Sequence, residues 1–295
     1  MKSRAFETGV KNTNLLVADR IRIKFYGTRG SIPICDSNFF EFGGNTTCLS
    51  IFNEDNRRLS VIDAGTGIRK LGQEIMGGIY EQSNSTINLG FSHFHWDHIQ
   101  GFPFFEPAYD QNTELNIIAL GRDRPMKSLR ELFEIQMQLQ FFPVQIDNLG
   151  ARIKFIWHEG ENLELGLAKI TAQKHSHPGT CYSFRMQWKN KSIVICTDIE
   201  HPNGLDENII ELARGADILI HDAQYTSKEL LNKKGWGHSS YEQAIEVAEK
   251  AEVRRLIMTH HDPDHDDAFL NKMEKHCQER YKTCELAREG REYIV

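Results

Sequence analysis

The order of apolar segments predicts an α/β fold in which two β-sheets stack face to face with helices outside. Three observations carry that expectation. Short β-rich runs dominate the first half of the chain, the second half alternates strand and helix, and no repeat, composition break or low-complexity linker divides the sequence. Periodicity by itself does not separate this layered sandwich from an open α/β sheet.

The strand runs fall at 21–26, 47–52, 59–63, 86–91, 115–120 and 152–157, then at 169–174, 181–188, 191–197, 217–220, 254–259 and 291–295. Glycine-containing turns separate many of them, as in Tyr26-Gly27-Thr28-Arg29-Gly30 and Asp63-Ala64-Gly65-Thr66-Gly67. Helical periodicity marks 68–76, 125–139, 207–214, 239–252 and 266–281, with Ser239 and Ser240 before Glu242 reading as a helix start. Residues 1–20 are polar and patternless and are expected to be a loosely held extension, leaving 21–295 as one domain.

Composition narrows the class. Hydrophobic residues at 40% and charged residues at 26% fit a soluble globular chain. No apolar stretch approaches the roughly 20 residues that span a bilayer, and the first residues lack the apolar core of a secretory signal. The six cysteines form no Cys-x-x-Cys pair, which fits reduced thiols and a cytoplasmic location. A formal charge of −6 disfavours stable nucleic-acid binding but not a small phosphate ester, whose local field bound cations would dominate.

The chemistry concentrates in His93-Phe94-His95-Trp96-Asp97-His98, directly after the run at 86–91. In extended backbone, residues two apart point the same way, so His93 and His95 can pinch one ion while Asp97 and His98 turn toward a second position. Imidazole with carboxylate oxygen suits zinc and related divalent ions. Further ligands would come from other strand ends. His177 follows the run at 169–174, Asp198 ends Ile193-Val194-Ile195-Cys196-Thr197, and His260 ends Leu256-Ile257-Met258-Thr259. A carboxylate delivered by a buried strand is costly unless paired or metal-bound, which makes Asp198 a candidate bridge.

With Gly27-Thr28-Arg29-Gly30-Ser31, Gly43-Gly44-Asn45-Thr46, Thr197-Asp198, His221-Asp222-Ala223-Gln224 and Gly237-His238-Ser239-Ser240, these residues resemble the metallo-β-lactamase fold superfamily. The match runs from about residue 21 to the end. It is nearest the branch holding ribonuclease Z and the cyclic-nucleotide phosphodiesterases. The resemblance implies a four-layer αββα sandwich and two zinc ions, with manganese as the alternative. One ion would take His93, His95 and His177, the other Asp97, His98 and His260, with Asp198 bridging. His177 is chosen over His175, and His260 over His261, on the family's patterns. His95 stands where the oxygen-reducing di-iron members carry Glu, which disfavours redox iron.

The implied reaction is metal-bridged hydroxide attack on phosphorus, with Asp97 and Asp198 orienting the hydroxide. His221 matches the histidine of the family's His-Glu-Ala-Thr motif and is expected to protonate the leaving oxygen, with Asp222 orienting it. His238 is expected to support His221, hold substrate or serve structure, and Arg29 or Ser31 to contact phosphate. The aromatics in 102–109 would stack on a base or form a packed lid. Only twenty residues lie between His177 and Asp198, where the ribonuclease inserts its RNA-clamping arm. The expectation is therefore a phosphodiesterase opening 3′,5′-cyclic nucleotides to 5′-monophosphates. The partner is a small nucleotide, no membrane is involved, and the family implies a homodimer. The alternatives are RNA 3′-end processing and a non-catalytic metal-dependent nucleotide sensor.

Overall fold

A computed structural model describes residues 20–80, 86–121 and 128–295 of the chain. The expected extension over 1–20 lies, apart from Arg20, outside the described residues, as do 125–127 of the expected helix at 125–139.

The strands are β1 (Ile21–Gly27), β2 (Cys48–Asn53), β3 (Arg58–Ile62), β4 (Thr86–Phe91), β5 (Glu114–Leu120), β6 (Arg152–His158) and β7 (Asn162–Leu165). They continue as β8 (Ala168–His175), β9 (Cys181–Trp188), β10 (Lys191–Cys196), β11 (Ile218–Asp222), β12 (Leu256–Thr259), β13 (Cys284–Leu286) and β14 (Glu292–Ile294). The helices are α1 (Ile68–Met76), α2 (Trp96–Ile99), α3 (Leu129–Gln136), α4 (Glu207–Ala213), α5 (Ser227–Leu230), α6 (Tyr241–Lys250) and α7 (Asp267–Arg280). They build two seven-stranded sheets, one ordered β14-β1-β2-β3-β4-β5-β6 and the other β13-β12-β11-β10-β9-β8-β7.

Both sheets are mixed. β3 to β6 run parallel in the first and β10 to β13 in the second, while the remaining neighbours pair antiparallel. One core lies between the sheets and joins Ile23, Phe25 and Ile51 to Phe184, Ile195, Ile220 and Ile257. The other two lie outside them. Leu71 of α1 and Phe133 of α3 cover the first sheet, while Ile209 of α4, Ile245 of α6 and Leu270 of α7 cover the second. That is the four-layer αββα sandwich the residues imply.

Local sequence explains the helix ends. Ser240 caps α6 by accepting from the Gln243 amide, and the Ser240 amide donates in return to Gln243 Oε1. Asp266 caps α7 by accepting from the Phe269 amide. The central parallel strands are buried along their length, as in β11 and β12, because both faces are covered. Their carboxyl ends, together with those of β3 and β4, open toward one rim of the sandwich, where the candidate site assembles. Among the described residues no helix is long and apolar enough to cross a membrane.

Candidate metal centre

Each expected ligand arrives from the carboxyl end of a strand. β4 ends at Phe91, and the extended turn after it presents His93 and His95, whose ring centroids lie 4.5 Å apart. The one-turn helix α2 then carries Asp97 and His98. His177 follows β8, Asp198 follows β10 and His260 follows β12. Asp198 and His260 have left-handed backbone, with φ of 55° and 64°. Non-glycine residues hold that conformation at a cost of about 1–3 kcal/mol, and such strain clusters at functional sites.

The side chains meet in two groups that touch through Asp198. His93, His95 and His177 form one, and Asp97, His98, Asp198 and His260 the other, each with its candidate ligand atoms within 4.8 Å of one another. His95 Nδ1 stands 3.1 Å from His177 Nε2. His260 Nε2 stands 3.1 Å from Asp97 Oδ2 and 3.3 Å from Asp198 Oδ2. His98 Nε2 stands 3.4 Å from Asp97 Oδ2 and 3.2 Å from Asp198 Oδ1. Asp198 Oδ2 also reaches His93 Nε2 at 3.6 Å, so this carboxylate touches the first group as well. Ligand atoms about 2.0 Å from a tetrahedral zinc would be separated by about 3.3 Å, close to the 3.1 to 3.6 Å between these nitrogen and oxygen atoms.

A second set of groups orients the imidazoles. His98 Nδ1 donates to Asp63 Oδ2 at 2.8 Å. His260 Nδ1 donates to Gln224 Oε1 at 3.0 Å, and His177 Nδ1 to the Gly237 carbonyl at 2.9 Å. Each bond fixes the tautomer that leaves Nε2 unprotonated and facing inward. Gly30 makes room for this packing, since a Cβ there would stand 2.3 Å from the His260 ring.

These residues fit a divalent cation. His93 Nε2 and His98 Nε2 are buried and accept no hydrogen bond from the protein. Burying two carboxylates beside them would cost several kcal/mol per ion without compensating positive charge. The local field shows the same demand. Burial opposes the charged form of His98, yet Asp198, Asp97 and Asp63 raise its pKa well above the ordinary histidine value. Burial opposes His260 as well, but Asp198 and the bond to Asp97 lift it to about 9. Burial would raise Asp97, but His98 and His260 hold it far below the usual carboxylate range.

Other expected residues land differently. His221 does not join the cluster. Ile218 and Ile220 face the core between the sheets while Leu219 and Ala223 face the helices, so alternation turns His221 to the helix side. There its Nδ1 donates to the Asp222 carbonyl at 2.7 Å and its ring stacks on His201 at 5.7 Å. Its neighbour Asp222 takes the inward position, accepting from His238 Nδ1 at 2.7 Å and from the Ser239 amide at 2.8 Å. His238 in turn stacks 4.8 Å from His260, and Asp222, His238 and His260 form a third close group. The side chains beside the ligand groups at this strand end are therefore those of Asp222 and His238, not His221.

Arg29 is no substrate contact. It is fully buried, and its guanidinium donates to the carbonyls of Gly43, Asp262 and His265. Ser31 reaches the site through its backbone, whose N–H donates to Asp97 Oδ2 at 2.8 Å. His175 bonds Ser183 Oγ and His261 bonds the Ala287 carbonyl, leaving His177 and His260 in the cluster. Phe102 and Phe105 are buried in the core beneath α1, so that segment is largely packing, with Phe104 and Tyr109 exposed.

Asp63 and Gln224 also serve the centre, each holding the ring of a candidate ligand. Asp63 carries the signal used for Asp198, an acidic residue at the end of an apolar strand, and it too has positive φ, 61°. Its Oδ1 accepts from the Ser92 amide and its Oδ2 from Ser92 Oγ as well as His98. Asp63→Asn is expected to weaken metal binding at the His98 position about 10- to 100-fold. Competition of zinc-loaded protein against a chromogenic chelator checks this, and unchanged affinity would remove Asp63 from the centre.

Two mixed sheets sandwiched between helices, with a His/Asp cluster at one rim, define a class of metal-site proteins. A family model described as the beta-lactamase superfamily domain matches residues 60–261. The chain belongs to this superfamily. Ribonuclease BN of Citrobacter koseri is 24% identical over 327 residues, covering 92% of this chain and 99% of that protein. The human short-form tRNase Z structure aligns with a TM-score of 0.65 at 17% identity over 92% of this chain and 98% of its own. A diphosphatase of the PhnP family aligns with a TM-score of 0.68 at 19% identity over 94% and 97%.

Proposed function

We propose that this chain is a dinuclear zinc phosphodiesterase, with manganese as the alternative metal, that opens 3′,5′-cyclic nucleotides to nucleoside 5′-monophosphates. The observation that carries it is the sharing of the Asp198 carboxylate between the two ligand groups, beside a carboxylate–histidine pair. When bound, the cations would supply positive charge to the phosphoryl oxygens and acidify water.

The protein's own residues do the rest. Asp97 and Asp198 orient the attacking water through their inward oxygens. Asp222 accepts from His238 Nδ1 and balances the imidazolium form, whose Nε2–H would protonate the departing 3′ oxygen and leave the neutral imidazole. Breaking the phosphorus–3′ oxygen bond while forming a bond to water oxygen yields the 5′-monophosphate.

The chain between His177 and Asp198 supports a small substrate. β9 and β10 are joined through a tight turn with Lys189 at φ 48°, an antiparallel hairpin that has no RNA-clamping arm. The second reading, RNA 3′-end processing, is favoured by the names of the aligned relatives, which match nearly end to end.

A substrate panel separates the two. Zinc-loaded protein is incubated with cyclic mononucleotides, cyclic dinucleotides, precursor tRNA and a lactone. Linear 5′-monophosphates from the first group alone are expected, and cleavage confined to precursor tRNA would replace this reading with the second.

A further inference from the structure

We infer that Trp236 is a stacking surface for the planar base of the substrate and sets the preference for a base-bearing phosphodiester, an assignment that rests on the phosphodiesterase reading of the site. A single exposed apolar residue needs no explanation by itself. Trp236 is 58% exposed, but its surroundings set it apart.

The first is position. Gly237 has a φ of 92°, and a Cβ there would stand 2.2 Å from His177 Nδ1, while its carbonyl accepts from that same nitrogen. The Trp236 Cα is about 3.8 Å from the Gly237 Cα, so the indole is rooted one residue from the glycine that holds the candidate ligand His177. The candidate proton donor His238 follows two positions later.

The second is rigidity. Glu200, 8% exposed, accepts from the Gly235 amide at 2.7 Å and from the Gly237 amide at 3.2 Å. Its own amide donates to the Ser176 carbonyl, beside His177. A nearly buried carboxylate thus clamps the backbone on both sides of an exposed tryptophan, which lowers the entropy lost when a ligand stacks there.

The third is charge. The Lys233 ammonium lies 4.0 Å from the Trp236 ring centroid. A cation over one face is held by the ring quadrupole, and its positive charge would attract an anionic ester stacked nearby. More than half of the residue remains open to a flat partner.

The test compares adenosine 3′,5′-cyclic phosphate with the methyl ribofuranoside 3′,5′-cyclic phosphate, the same sugar phosphate without a base. In Trp236→Ala the ratio of kcat/KM between the two is expected to fall about 5- to 150-fold, with Trp236→Phe restoring most of it. An equal loss on both substrates would overturn the assignment. Adenosine 5′-monophosphate is also expected to quench tryptophan fluorescence in the native protein and not in Trp236→Phe. Quenching that persists in that variant would shift the stacking to Trp96, the other exposed tryptophan, and overturn it as well. If neither cyclic phosphate is hydrolysed while quenching depends on Trp236, the proposed reaction fails and the stacking surface stands.

Discussion

Asp198→Asn is expected to reduce bound zinc from two equivalents to one or fewer and to lower turnover by more than about 100-fold. Groups that merely orient metal ligands contribute 10- to 100-fold, so a carboxylate shared by both ligand groups should exceed them. Asparagine nearly preserves shape, and residue 198 is only 1% exposed, so the change is chiefly electrostatic. The carboxylate now places Oδ1 near His98 Nε2 and Oδ2 near His93 and His260. An amide offers one oxygen and turns N–H bonds toward the other position, where a cation would be repelled. It also removes the charge that Thr197 Oγ1 and the surrounding imidazoles stabilise. Elemental analysis after dialysis and thermal unfolding with and without chelator are the measurements. Native protein should lose stability on chelation by RT ln(1 + [metal]/Kd), about 4 kcal/mol at a thousandfold excess over Kd. The variant should lose much less. Two retained equivalents with native turnover would remove Asp198 as a bridge.

Much of this centre was legible because metal ligands break the hydrophobic pattern. Polar residues at the ends of apolar strands, as at Asp198 and His260, are costly without a function, and the run at 93–98 places several within reach of one another. The central strands were equally clear, with β4 and β9 bounded as their apolar runs suggest. Two short strands were missed, β7 (Asn162–Leu165) and β13 (Cys284–Leu286), since runs of four and three residues carry little periodicity.

The misplacement of His221 has a different origin. β11 is buried on both faces, so Ile218, Leu219 and Ile220 give no polar alternation from which the inward side can be read. Of two adjacent polar residues at its end, only one can face the rim. The neighbouring segments decide which: the Ser239 amide and the His238 ring hold Asp222 inward, and both arrive from a loop sixteen or more residues away in sequence. Arg29 failed for a related reason. A glycine-flanked arginine reads as an anion contact, but its guanidinium ties three distant backbone carbonyls together.

That correction leads to the sharpest contrast in turnover. His238→Ala is expected to keep both metals and to lose about 10²- to 10⁴-fold in kcat on a cyclic nucleotide, the usual worth of a positioned general acid. The loss should shrink to a small factor on a p-nitrophenyl phosphodiester, whose leaving group departs without a proton. His221→Ala should do the reverse. Burial holds that imidazole below the ordinary histidine value, and it packs on His201 away from the ligand groups. Its removal is expected to cost about 1–3 kcal/mol of stability while the folded fraction turns over near the native rate. Asp222→Asn should fall between His238→Ala and native enzyme, because the amide can keep His238 in place but cannot balance an imidazolium. Leaving-group dependence is what a structural role for His238 would not produce. Equal losses on both ester types, or full metal content with lost turnover in His221→Ala, would return the proton to His221.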